Sequence, residues 1–298
     1  MSPLVFILVL CSASLHVIWN ALVKTCYDKV TFAWVTTVIG VFVLVPCFAV
    51  DLYLGSQQIP QVALGFSLIS GLFEALYVIF LFKAYEFSDL SVVYPLSRGI
   101  APVVAMVLAG SMVGDSITLT GVIVIGLIIV GVVLVSLSSL NRENRGRRID
   151  LMGIFMAFCT GCMIAGYHLV DRRAMVMKPV PSPLQYLFFV QFFMAVFVTL
   201  WAMFFLGKDL DSLKTECAVN LRGVLIVGIA TPLAYLLIIV ALTLGNVTYI
   251  VAGRNVGIFL STVVGALFLG ERVSGMRLTG GVLIAVGVIL LVLITPGS

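Results

Sequence analysis

The sequence predicts an all-α integral membrane protein of about ten transmembrane helices, arranged as two inverted five-helix repeats. Three observations predict it: a composition too apolar for water, a series of apolar stretches of spanning length, and an internal repeat at a constant offset. Of the 298 residues, 62% are hydrophobic and 10% charged, and mean hydropathy is +1.23. A soluble domain carries roughly a quarter charged residues. So few charges cannot cover a water-facing surface, so lipid must cover most of this one.

The apolar stretches read as spans at 3–23, 31–51, 62–84, 91–113, 117–138, 151–171, 184–206, 221–243, 248–269 and 276–295. Each is close to the roughly 20 residues needed to cross the hydrocarbon layer. Breaks fall where turn-forming or charged residues cluster: Lys24 to Lys29, Gly55 to Pro60, Glu86 to Asp89, Gly114 to Ser116, and Gly207 to Glu216. The first stretch has no basic start and no small-x-small cleavage signal, so it reads as a retained helix rather than a signal peptide. The most polar segment, Asn141 to Asp150, holds Arg142, Arg145, Arg147 and Arg148. It divides a first repeat at 1–140 from a second at 151–298.

Self-comparison supports the division. Arg98, Ala101, Ala105, Ala109, Asp115 and Gly131 recur as Arg254, Gly257, Ser261, Gly265, Glu271 and Gly287, all at an offset of 156 residues. Gly71 and Ala84 match Gly228 and Ala241 at 157, and an LTG triplet follows each acidic turn, at Leu119 and Leu278. Five spans per half is an odd number, so the halves must lie in opposite orientations, a construction found in many secondary transporters.

Loop charge gives an orientation. Connections after odd-numbered spans carry Lys24, Lys29, Lys83, the four linker arginines, Lys208, Lys214, Arg222, Arg272 and Arg277. Those after even-numbered spans carry Arg172, Arg173 and Lys178. The positive-inside rule then places the 141–150 linker in the cytoplasm and both termini outside. The expected location is a plasma membrane, the inner membrane in a bacterium.

Polar residues inside spans are the candidate site. Glu74 lies in the middle of the third span, where a carboxylate costs about 2.5–3.5 kcal/mol on insertion scales and must find an interior cavity or a partner. It suits a coupling proton or a substrate amine; the structural alternative is an internal ion pair with an arginine. Tyr77 lies one turn away on the same face. Arg98 and Arg254 begin the fourth and ninth spans. They are expected toward opposite ends of a central pathway, either binding a substrate carboxylate or phosphate or locking the scaffold. His16, Asn20 and Lys24 share one face of the first span, and His168 and Arg172 follow 148 residues after the last two. With Trp19 and Tyr167 beside them, these stripes either line a cavity or hold helices together. Ala101/Ala105/Ala109 and Gly257/Ser261/Gly265 are small-residue packing stripes, expected near the pseudo-two-fold axis. Pro95, Pro102 and Pro232 are hinge candidates.

Other chemistry is excluded or unsupported. Two histidines cannot build a His-rich metal site. Cys159 and Cys162 form a lone CxxC without a second pair, and Cys11, Cys26, Cys47 and Cys217 are scattered. No phosphate-cradling GxxxxGK[ST] loop is present, so the chain does not hydrolyse ATP by itself. No cofactor is expected. Its +4 charge sits mostly in short loops, which reads as topology rather than nucleic-acid binding.

The segments LHVIWNALVK at 15–24, AYEFSDLSVVYPLSRGIAPVVA at 84–105 with GD at 114–115, and GALFLGERVSGMRLTGGVLIAVGVILL at 265–291 resemble the EamA family of the drug/metabolite transporter superfamily. Asp115 stands where such repeats more often show Glu. The resemblance implies secondary transport or export of small metabolites without nucleotide hydrolysis, and supplies no shared catalytic residues. The combined expectation is an alternating-access transporter, not an enzyme. Its expected partners are membrane lipid, a small amine-bearing or amino acid-like substrate, and a coupling proton. Glu74 and an arginine would hold the two poles of a zwitterion. A membrane-embedded enzyme for a lipid-linked substrate, or a channel, remains the alternative.

Overall fold

The computed structural model describes residues 1–23, 28–55, 58–88, 90–143, 150–268 and 273–294. The described residues are helical throughout, apart from short connections. The first half contains α1 (Pro3–Val23), α2 (Lys29–Tyr53), α3 (Gln61–Phe87), α4 (Leu90–Val113) and α5 (Leu119–Glu143). The second contains α6 (Leu151–Val176), α7 (Pro183–Leu200), α8 (Leu210–Leu244), α9 (Val247–Gly253), α10 (Val256–Phe268) and α11 (Gly275–Leu293). A π-helical turn, Trp201–Phe205, extends α7. Among the described residues nine segments are long and apolar enough to cross a membrane, with α9 and α10 together forming one of them. Adding the 21 residues of α1 gives ten.

Local chemistry sets many of the ends. Asp28, Asp150, Asp209, Asn246 and Ser274 accept backbone N–H bonds at the starts of α2, α6, α8, α9 and α11, satisfying donors the helix leaves open. Gly114 and Gly207 turn the chain in the left-handed region, at φ of 73° and 63°, where a side chain is strained.

Four boundaries differ from the sequence expectation. The ninth span is broken: Arg254 and Asn255 form a tight turn between α9 and α10. Within it the Asn255 N–H donates to the Ala252 carbonyl and the Gly257 N–H to that of Arg254. The expected loop before α8 is helical from Leu210, and this stretch joins the membrane span across a kink at Asn220. Helix α6 continues to Val176, five residues past its expected end. Helix α5 runs to Glu143, three residues into the expected linker, whose residues 144–149 lie outside those described. The helices holding Pro95, Pro102 and Pro232 run through these residues, whereas the break at Arg254–Asn255 and the kink at Asn220 fall at positions without proline.

The duplicated halves meet across a pseudo-two-fold contact between α5 and α11. A methyl built on Gly131 would fall 2.8 Å from Ile284, and one on Gly287 would fall 2.5 Å from Ile128. Ile128 and Ile284 are themselves 156 apart, so each half offers a glycine to the other's isoleucine. Gly131 also approaches the Gly280 backbone, where an added methyl would come within 2.7 Å of the carbonyl oxygen. The helices touch backbone to backbone, as small residues in membrane helices permit. Ala101, Ala105 and Ala109 are 0–1% exposed, but α4 packs chiefly on α6 and α10 on α11 and α1. The two small-residue stripes therefore serve separate packing surfaces, and the axis contact belongs to glycines of α5 and α11. Gly257 lies against Ala13 of α1, Gly265 is buried and Ser261 half-buried.

Polar clusters tie the ends of the bundle. At one end Lys208 pairs with Asp28 at 2.6 Å, and the Asp28 N–H donates to Glu216 at 3.1 Å. Burial alone would raise the Asp28 carboxyl, but Lys208, Thr31 and the Val30 N–H outweigh it and hold it below the usual range. The stability this bridge supplies is therefore present above the ordinary aspartate range and is lost as pH falls through the lowered value. At the other end Arg172 pairs with Asp115 at 2.9 Å and donates to the Leu242 carbonyl at 2.6 Å, while Asp115 accepts the Val247 N–H at 2.8 Å. Gln185 donates to Asp51 at 2.8 Å. The start of α2 and the connection into α8 thus meet at one end, and the connections into α5 and α9 meet α6 at the other.

Candidate functional site

Among the described residues, the interior of the bundle holds a polar cluster around Arg254. Arg254 stands at the α9–α10 break and Arg98 on the third turn of α4, 6% and 8% exposed. Both line a cavity of about 10 Å³ with Ala13, His16, Val17, Tyr94 and Gly257. The expectation that they lie toward opposite ends of a pathway is corrected here, and helix geometry supplies the reason. Arg98 is about 12 Å along α4 and Arg254 about 10 Å beyond the start of α9. These helices enter from opposite ends of a layer about 30 Å thick. Two long side chains close the remaining gap, so the repeat brings its arginines together near the axis.

Arg254 is held by both histidines. Its Nη1 lies 2.7 Å from His168 Nε2 and its Nη2 lies 3.2 Å from His16 Nε2. His168 Nδ1 is 2.6 Å from the Ile164 carbonyl. A carbonyl only accepts, so Nδ1 carries the proton and Nε2 presents its lone pair to the arginine. His168 therefore positions Arg254 as a neutral imidazole. Tyr235 adds a ring face 6.0 Å from the Arg254 guanidinium. Arg98 has a ring contact, with Tyr94 at 5.3 Å, and its backbone carbonyl receives the Asn255 amide at 3.4 Å. Among the described residues its guanidinium makes no hydrogen bond, and neither arginine has a carboxylate within 4.0 Å.

The acids lie beside this pair. Glu74 is 9% exposed in the middle of α3. Tyr235 and Asp171 stand next to it, and Arg254 is near enough to act on its charge. Among the described residues no cation lies within 4.0 Å of Glu74, so the ion-pair alternative is not what is found. Asp171 is fully buried and accepts hydrogen bonds from Tyr186, at 2.8 Å, and from Tyr235. Because α6 runs on to Val176, Asp171, expected as the last residue of its span, is a second interior acid beside Glu74. Its signal was present in the spacing His168, Asp171, Arg172, one helix face apart. Tyr77 is half-buried and meets Tyr167 edge-on at 6.2 Å, and Tyr167 stacks on His168 at 4.3 Å. Of the remaining candidates, the side chains of Asn20 and Trp19 and all of Lys24 and Glu271 lie outside the described residues.

A second hollow, about 540 Å³ and lined by Met203, Phe204, Lys208 and Asp211 among others, opens at the Gly207 turn. It is a surface depression at the bundle edge, away from the buried charges. The central cavity has room for about one water molecule, so the site is shut in this conformation.

Comparison with known proteins agrees with this architecture. No curated protein matches the chain. One solved structure, described only as "Crystal structure of protein", superposes with a TM-score of 0.75 at 17% identity, covering 98% of both chains, which shows a shared fold. The EamA-like transporter family matches twice, over residues 3–137 and 151–293, once in each half. The chain belongs to the EamA-like transporter family, as a membrane protein with two such domains.

Proposed function

We propose that this chain is a secondary transporter that carries a small, amino acid-like metabolite through the bundle centre by alternating access, without hydrolysing ATP. One observation carries the reading. Glu74 and the arginines Arg98 and Arg254 are groups that can carry charges of both signs in one buried cluster, and among the described residues none is consumed in an ion pair. Uncompensated charge inside a membrane bundle is expensive, and a zwitterion that meets both signs at once repays it. The inverted halves give a midplane site that either side can expose, and the α9–α10 turn beside Arg254 is a natural point of flexure. Purified protein in liposomes is expected to accumulate labelled amino acids under an imposed pH gradient, with no effect of internal or external ATP. Absence of flux across an amino acid and organic-amine panel would count against transport.

The protein sits in a plasma membrane, on this reading, with the arginine-rich 141–150 linker in the cytoplasm and both termini outside, as loop charge directs. A cysteine introduced at Arg145 should react with a membrane-impermeant reagent only after cells are permeabilised. Reaction in intact cells would reverse the orientation.

A further inference from the structure

We infer that the cavity between Arg98 and Arg254 is a subsite for one compact oxyanion, held by a pair of arginines contributed one from each half of the chain. The inference rests on the transport reading and deepens it, because it makes an acidic group an obligatory part of the substrate. The two arginines are repeat counterparts, 156 residues apart, and they line the same cavity of about 10 Å³. Two like charges facing one small cavity repel one another. Among the described residues no carboxylate lies within 4.0 Å of either, and Glu74 and Asp171 act on Arg254 only from farther off, Asp171 through the Tyr235 hydroxyl. A single anion on the axis neutralises both directly.

Donor geometry favours an oxyanion. A guanidinium has five N–H donors in a planar fork. Arg254 spends two on His168 and His16, which leaves three. Arg98 spends none on described residues. Carboxylate and phosphate oxygens accept such forks in bidentate fashion, whereas chloride or a carbonyl accepts at one point. The two arginines are also unequal. Arg254 is fixed by two imidazoles, while Arg98 rests on the Tyr94 ring. Arg254 is therefore the preset half of the clamp and Arg98 the half that moves to admit the anion, since the cavity as it stands holds about one water molecule. Because the halves are inverted, an anion bound between them joins the two bodies that must move past each other, which links occupancy to conformational change.

The test is equilibrium binding to the purified full-length protein, read as a saturable rise in unfolding temperature. The probes are glycine, pyruvate, inorganic phosphate and choline. Glycine or pyruvate is expected to stabilise the wild type if the occupant is a carboxylate, and phosphate if it is a phosphate. Choline, a cation without an acid, should do nothing. Arg98→Lys and Arg254→Lys keep the charge and lose the fork, so each should weaken binding of the active probe about tenfold. His168→Asn should weaken it less, through loss of Arg254 positioning. Stabilisation by choline alone overturns the subsite, as does binding of the acid-bearing probes that both lysine variants leave unchanged, or no stabilisation by glycine, pyruvate or phosphate. The transport reading fails separately: arginine-dependent anion binding without flux in liposomes removes transport and leaves the subsite. Conversely, flux of an amine that bears no acid keeps transport and removes the subsite.

Discussion

Glu74→Gln is expected to fold normally and to lose pH-dependent transport completely. Glutamine keeps the size and part of the hydrogen bonding but cannot exchange a proton or hold a substrate amine. The groups around the carboxylate are Tyr77 on α3, Tyr167 and Asp171 on α6, Tyr186 on α7, Tyr235 on α8 and Arg254 at the α9–α10 turn. None is a cation within 4.0 Å among the described residues. Removing the charge therefore leaves no ion pair broken, and the 3–5 kcal/mol or so that an orphaned buried partner would lose does not arise. Unfolding temperature and liposome flux measured on the same preparation separate the outcomes. A marked drop in stability would show a structural role instead. Normal stability with undiminished, still pH-dependent flux would remove Glu74 from the mechanism.

Asp115→Asn is expected to destabilise the conformation described, by about 1.5–3 kcal/mol for the loss of charge-assisted bonds. Asp115 and Arg172 have side chains 9% and 14% exposed, so solvent replaces little of what is lost. One carboxylate oxygen takes Arg172 and the other takes the Val247 N–H, while Arg172 also holds the Leu242 carbonyl. Three connections from both halves are thereby fastened at the end where the even-numbered spans finish. Alternating access requires one end to part, so this knot is what must release if that end opens. Arg172→Gln should act similarly, and the double variant should cost less than the sum of the singles, because the partners share one interaction. Thermal unfolding of the four proteins measures the coupling. Additive losses would mean that the pair contributes nothing jointly.

The amino-acid sequence by itself determined the class and the plan of this protein. A chain with 10% charged residues and a mean hydropathy of +1.23 can only hide in lipid, and span length follows from layer thickness. The offset of 156 that carries Arg98 onto Arg254 and Gly131 onto Gly287 announces duplication, and an odd span count makes it inverted. Glu74 and both arginines stood out because charge is costly at that depth. The tertiary structure alone decided what these residues do together. Spacing along a helix ranks neighbours within that helix and is silent about partners on another. It could not tell that Arg98 and Arg254, entering from opposite ends, share one cavity, nor that His168 is spent on Arg254 rather than on a ligand. Asp171 looked like the last residue of a span because hydropathy falls at Asp171, Arg172 and Arg173. Backbone hydrogen bonding continues through polar residues when neighbouring helices satisfy them, here Tyr186, Tyr235 and Asp115. The break at Arg254–Asn255 was equally hidden, since no proline marks it and Gly253 beside it is one of many glycines in the chain, most of them inside helices that run on. It exists where two inverted halves press their polar residues against one another, and only packing creates that pressure.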